Sequence, residues 1–327
     1  MAEWLLPAAA VAGGVLALVV SADVFVDGAV GLARRLGASP LVVGMVVVGF
    51  GTSAPEMAVS AVGAARGAPS IALGNAYGSN VCNIALIVGL CALLRPLAVN
   101  RRAAVFALPV LVFSTALSMV LVAEETALGA GISRADSAVL LLFFAAVLFA
   151  MARDASSGGA GVGPGAPAAP PLGVCAAKVA LGVAALVLSS RALVWGAVAV
   201  ARGLGVSDLV IGLTVVAVGT SLPELASAVA AVRRGEDDLA VGNVVGSNLF
   251  NTLAVVGIAG AITPMPEVER AVLARDLPAS LALAVFVLCA GRAGKGAAAG
   301  RLGRKSGLAL LAFYAAYVAS LALSRRP

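Results

Sequence analysis

Residues 21–90 and 189–258 align without a gap at an offset of 168, and nearly half of the paired positions are identical. A chain duplicated in this way has to fold as two equivalent halves. The best-kept stretches are GTSAPE at 51–56 with GTSLPE at 219–224, and GNAYGSNVCN at 74–83 with GNVVGSNLFN at 242–251. In both copies a glutamate follows a proline inside a long apolar run.

Hydrophobic residues make up 61% of the chain and charged residues 12%, the balance of a polytopic membrane protein. About ten apolar stretches have the length that crosses a hydrocarbon core: 4–22, 41–65, 69–94, 103–123, 137–151, 173–201, 208–232, 238–262, 275–291 and 306–324. Five of them separate the start of one copy from the start of the other. Five is odd, so the second copy enters the membrane from the opposite side. Inverted repeats of this kind place their substrate site near the midplane, where Glu56 and Glu224 would meet. The expected division is a first half over 1–152, a Gly/Ala/Pro-rich cytoplasmic linker over 153–172 and a second half over 173–327.

Basic residues are spread over helix ends rather than gathered into a stripe, which argues against nucleic acid. With the N-terminus outside, fourteen Lys and Arg fall on inner segments and seven on outer ones. That asymmetry predicts both termini outside. No basic residue precedes the first apolar run, so it reads as a retained helix rather than a cleaved signal. Cys82, Cys91, Cys175 and Cys289 stand singly and read as packing residues. The chain has no histidine, which excludes Ser–His hydrolases and H-E-x-x-H metalloproteases; the expectation is a protein that is not an enzyme and needs no cofactor.

The duplicated motifs carry oxygen-rich chemistry. Pro55 offers no N–H to the Gly51 carbonyl, nor Pro223 to that of Gly219, so each motif predicts a broken helix at the midplane. Unpaired backbone groups at that depth cost several kcal/mol unless something else satisfies them. The carbonyls of Gly49 and Ala217, the hydroxyls of Thr52, Ser53, Thr220 and Ser221, and the two carboxylates form an all-oxygen set suited to a hard cation. Asn75, Ser79 and Asn83 are spaced along one helical face, and Asn243, Ser247 and Asn251 repeat that stripe. Such a stripe supplies either further ligands or hydrogen bonds between helices. Gly74 with Gly78, and Gly242 with Gly246, form small-xxx-small pairs that allow close helix approach.

The paired GTSxPE and GNxxGSNxxN segments, within 44–89 and 212–257, resemble the alpha repeats of the cation/calcium exchanger superfamily, and most of all its prokaryotic sodium/calcium exchangers. The resemblance implies an all-α membrane protein of ten transmembrane helices in two inverted five-helix repeats, exchanging Na⁺ for Ca²⁺ by alternating access. It makes Glu56 and Glu224 the central ligands, with Thr52, Ser53, Thr220, Ser221, Gly49, Ala217, Ser79, Asn83 and Ser247 around them. At Asn251 the sequence departs from the family, whose well-studied members carry Asp there. Two carboxylates still neutralise one Ca²⁺ or two Na⁺, but sodium stoichiometry and any use of K⁺ or H⁺ are left open. The alternatives are a cation/proton antiporter on the same site and a cation channel. The bilayer is the expected surrounding, with no obligatory protein partner. Asp23 and Asp27 read either as charges at a helix end or as an ion pair with Arg191, the offset mate of Asp23.

Overall fold

The computed structural model describes residues 2–67, 70–127, 131–156, 170–206, 211, 217–265, 268–293 and 298–324. Among these, nine helices are long and apolar enough to cross a membrane. They are α1 (Trp4–Leu36), α2 (Pro40–Ala65), α3 (Ala72–Leu94), α4 (Ala103–Ala123), α5 (Arg134–Arg153), α6 (Leu172–Gly203), α8 (Asp237–Ile262), α9 (Val272–Arg292) and α10 (Arg304–Leu323). The seventh expected span, 208–232, lies partly outside the described residues; its described part is a helical turn, Ala217–Gly219, and the helix α7, Leu222–Arg233. Residues 157–169 of the expected linker also lie outside them.

Two short pairings fix the sidedness of the loops. Strand β1 (Leu97–Asn100) pairs antiparallel with β2 (Ala298–Leu302), joining the α3–α4 loop to the α9–α10 loop. Ile132 exchanges backbone hydrogen bonds of 2.7 and 2.9 Å with Met265, joining the α4–α5 and α8–α9 loops. Alternate crossing puts each pair of loops on one side, and the two pairs on opposite sides. The molecule therefore has a ladder face, marked by β1 and β2, and a bridge face, marked by Ile132 and Met265.

Helix α8 is the most enclosed of the nine and α10 the least. Glycines explain the enclosure of α8. An added Cβ on Gly44 would stand 2.6 Å from the Leu239 carbonyl oxygen, and one on Gly49 only 3.0 Å from the Gly246 backbone, so α2 and α8 touch almost backbone to backbone. In the same way Gly28 and Gly182 let α1 and α6 cross closely. Three of the four cysteines, Cys82, Cys91 and Cys175, are buried and unbridged.

The two proline motifs are shaped differently. In the first copy a π-helical turn, Gly44–Val48, leads into a helix that runs on through Pro55 to Ala65. The deformation sits upstream of the proline rather than at it. In the second copy the helix is interrupted at Thr220–Ser221 and restarts at Leu222. The Ser190 hydroxyl of α6 donates to the Gly219 carbonyl at 2.9 Å, filling the bond that Pro223 cannot make. At the equivalent place in α1 stands Ala22, which has no hydroxyl to offer. Further π-helical segments begin beside the second motif in both copies, Cys82–Val88 and Phe250–Val255, at positions 168 apart. Such π-turns cluster at functional sites.

Candidate cation site

The duplicated segments meet in the interior. Glu56 is 3% exposed and Glu224 1%, and the two carboxylates act on each other electrostatically. Thr52, Ser53, Ser221, Ser79, Ser247, Asn83 and Asn251 are all buried around them. Ser53 of one half donates to Glu224 Oε1 of the other at 3.5 Å. The Thr52 hydroxyl lies within reach of Val48 O at 3.1 Å, Asn243 Oδ1 at 3.3 Å and Ser247 Oγ at 3.3 Å. It also stands 3.5 Å from the Gly49 carbonyl, so that carbonyl does face this group of hydroxyls. Ala217 opens the helical turn ahead of the interruption. Thr220 is exposed, on the wall of a cavity described below.

Polar stripes on α3 and α8 divide their work. Asn243 donates to the Glu224 backbone carbonyl at 3.2 Å and to Ser227 Oγ at 2.9 Å, tying α8 to α7. Asn75 donates to Ser60 at 3.5 Å, tying α3 to α2, although the offset mate of Ser227 is Val59 rather than Ser60. Helix-to-helix bonding thus accounts for the first Asn of each stripe. The last ones behave otherwise. Glu56 Oε1 and Oε2, Glu224 Oε2, Asn83 Oδ1 and Asn251 Oδ1 are buried and accept no hydrogen bond among the described residues. Buried acceptors are nearly always satisfied, and leaving even one unpaired costs about 1–3 kcal/mol, more for a charge. Five together form a set that lacks a positive partner.

Asn80 and Asn248, which the motif reading passed over, hold this set in place. Asn83 donates to Asn248 Oδ1 at 3.0 Å, and Asn80 donates to Thr252 Oγ1 at 2.8 Å, each bond crossing from α3 to α8. Their signal was present in the sequence. Both are the second Asn of GNxxGSN, repeated at the same offset as the glutamates. Among the described residues no three His, Cys, Asp or Glu side chains gather to form a denser metal site. The full charges at this point are the two glutamates.

A cavity of about 310 Å³ reaches Glu56 from the bridge-face half of the molecule, between Asn75, Ser190, Arg191, Thr220 and Pro223. Val59 on its wall is 50% exposed, whereas its offset mate Ser227 is 1% exposed. Gly74 is exposed and its mate Gly242 buried. The two halves are equivalent in sequence and unequal in access.

On the ladder side charged groups surround α1. Lys178 contacts Asp27 at 2.5 Å, and Arg234 contacts Asp27 at 3.2 Å and Asp23 at 3.6 Å. Arg191 is not the partner of Asp23; it lines the cavity instead. Inversion explains the correction, because offset mates away from the midplane are carried to opposite faces. Asp237 is paired with Arg95 and accepts the Ala98 N–H at 3.0 Å, fastening α8 to β1.

Comparison with known proteins gives consistent matches. A family model described as sodium/calcium exchanger protein matches residues 6–153 and 176–323. The putative antiporter CaxA of Alkalimonas amylolytica is 41% identical over 293 residues, covering 85% of this chain and 89% of that one. The sodium/calcium exchanger MaX1 of Methanosarcina acetivorans is 30% identical over 343 residues, covering 94% and 96%. A structure of the sodium-calcium exchanger NCX_Mj, soaked with zero Na⁺ and Ca²⁺, superposes with a TM-score of 0.79 at 30% identity over 97% of this chain and 99% of that one.

Proposed function

This chain belongs to the sodium/calcium exchanger family, and from that premise we propose that it exchanges Na⁺ for Ca²⁺ by alternating access at a site centred on Glu56 and Glu224. It is an integral, multi-pass membrane antiporter of exchanger type, not an enzyme. The observation that carries the finer reading is the set of buried oxygens without donors among the described residues, drawn from both halves: both carboxylate oxygens of Glu56, Oε2 of Glu224, Asn83 Oδ1 and Asn251 Oδ1. A hard cation supplies what they lack. Ca²⁺ takes about six to eight oxygens, and Thr52, Ser53, Thr220, Ser221, Ser79, Ser247 and the carbonyls of Gly49 and Ala217 would complete the shell.

The same oxygens suit Na⁺, which is why the two ions compete and exchange. With Asn at 251 the site offers two negative charges. One Ca²⁺ or two Na⁺ neutralises it. A neutral loaded site crosses the membrane interior most cheaply, and the empty one carries two uncompensated charges that resist reorientation. That difference couples the two ion movements.

Access from one face at a time follows from the unequal halves. The cavity serves the bridge face, and reorientation would open the equivalent route on the ladder face. Residues 1–152 and 173–327 act as the two inverted repeats, joined by the linker over 153–172. The positive-inside asymmetry puts the ladder face in the cytoplasm, in an inner membrane with both termini outside.

Calcium-45 uptake into proteoliposomes tests the reading directly. Uptake should follow an outward Na⁺ gradient and ignore an imposed pH gradient. Uptake driven by the pH gradient alone would overturn sodium coupling, and single-channel current steps would overturn exchange itself.

A further inference from the structure

The ion pairs around α1 stand where the second access route would open. Under the 168-residue offset the walls of the bridge-face cavity, Val59, Asn75, Arg191 and Trp195, correspond to Ser227, Asn243, Asp23 and Asp27. Ser227 and Asn243 are buried and bonded to each other. Asp23 and Asp27 lie one helical turn apart on α1, where Arg234, just after α7, reaches both, and Lys178 of α6 reaches Asp27. Arg234 also donates to the Asp23 backbone carbonyl at 3.0 Å. Three separate elements are therefore drawn together over the route to Glu224.

We propose that Asp23 and Asp27, held by Arg234 and Lys178, form an ion-pair latch that keeps the ladder-face route shut, and that the bridge face has no equivalent latch. The proposal rests on the alternating-access reading. Its second half is carried by the offset mates: Arg191 stands in place of Asp23, Trp195 in place of Asp27 and Ala10 in place of Lys178, while Arg66 keeps the charge of Arg234. Closing the bridge face brings the segments bearing Arg66 and Arg191 together, two cations with no acid at the positions equivalent to Asp23 and Asp27. Closing the ladder face brings opposite charges together. The duplication gave both faces the same walls, and later divergence gave only one of them complementary charge. The resting protein accordingly favours the state open toward the bridge face, and ladder-face opening breaks the latch.

All four side chains are roughly two-fifths exposed, so each contact is individually modest and screened by salt. Acting together on a two-state equilibrium, they shift its ratio about three- to tenfold. The test uses full-length protein in nanodiscs, with single reporter cysteines Ala230→Cys on the ladder side and Val59→Cys in the cavity. Labelling by a membrane-impermeant maleimide is read at each residue by peptide mass spectrometry. Asp23→Asn with Asp27→Asn, and separately Arg234→Gln, should raise labelling at 230 about three- to tenfold and lower it at 59. Asp23→Glu with Asp27→Glu should keep the parent rate. Raising ionic strength should increase labelling at 230 in the parent and have little effect in the neutralised variants. If neutralisation leaves labelling unchanged while exchanging Na⁺ for Ca²⁺ in the bath still alters it, the latch is wrong and alternating access stands. If no ionic condition changes either reporter in the parent, both fall.

Discussion

Asn83 gives its side-chain amide to Asn248 Oδ1 at 3.0 Å, from α3 of one half to α8 of the other, and thereby fixes the direction of its own unpaired Oδ1. Asn248 would not need to touch the ion to matter. Partners that orient a ligand typically change metal affinity by about 10–100-fold when removed. Asn248→Ala should weaken Ca²⁺ binding by about that factor, measured by calorimetry on purified protein, while the variant still folds and inserts.

The two carboxylates should be individually indispensable. Glu56→Gln or Glu224→Gln removes half the charge offered to the ion, a loss of about 3–5 kcal/mol for a buried pair. Sodium-dependent calcium-45 uptake should fall below detection in either variant. Undiminished uptake would remove that glutamate from the site.

Charge counting extends to voltage. Under the proposed reading, an exchange of one Ca²⁺ for two Na⁺ keeps the two-carboxylate site neutral and moves no net charge. Uptake by the parent should change little when a potassium-diffusion potential is imposed. Asn251→Asp adds a third carboxylate beside the first two. Its transport should become voltage-sensitive, since each charge moved through 100 mV is worth about 2.3 kcal/mol.

The unequal glycines give a test of reorientation that leaves binding alone. An alanine at Gly246 would run into the Met45 backbone, so Gly246→Ala should destabilise the protein by about 1–3 kcal/mol, seen as a lower Tm. Gly78, its offset mate, has open space around it among the described residues. Gly78→Ala should leave Tm unchanged or slightly raised, because alanine favours helix by about 1 kcal/mol. Yet the bridge face closes only if this glycine admits the same close approach that Gly246 admits now. Ca²⁺ binding should survive in Gly78→Ala, and exchange should slow by about tenfold.

Much of this molecule could be read before any coordinates. The spans were legible because the apolar lengths leave no alternative, and the inversion because five is odd. The burial of the two glutamates was legible because both follow a proline inside a long apolar run. Other features depended on neighbours that sequence does not name. Pro55 and Pro223 predict the same interruption, but only the second copy is interrupted, at Thr220–Ser221, where the Ser190 hydroxyl donates to the freed Gly219 carbonyl. The offset offers Arg191 as one reading for Asp23 and a helix-end charge as the other; its contact is Arg234, forty-three positions beyond Arg191 and on the same face as Asp23. An offset in sequence becomes a contact only at the midplane. Toward the surfaces the inversion axis carries equivalent residues apart.

The β1–β2 ladder bears on the ancestry and assembly of the protein. It pairs a loop of the first half with a loop of the second, and Ile132 with Met265 does the same on the other face. The halves are thus joined by backbone bonds at both membrane surfaces, besides the polypeptide between them. Two separate ancestral chains of opposite orientation could have docked through these very edges before fusion. Present-day halves, made as independent polypeptides divided within 157–169, should find each other in the bilayer and reconstitute a working exchanger.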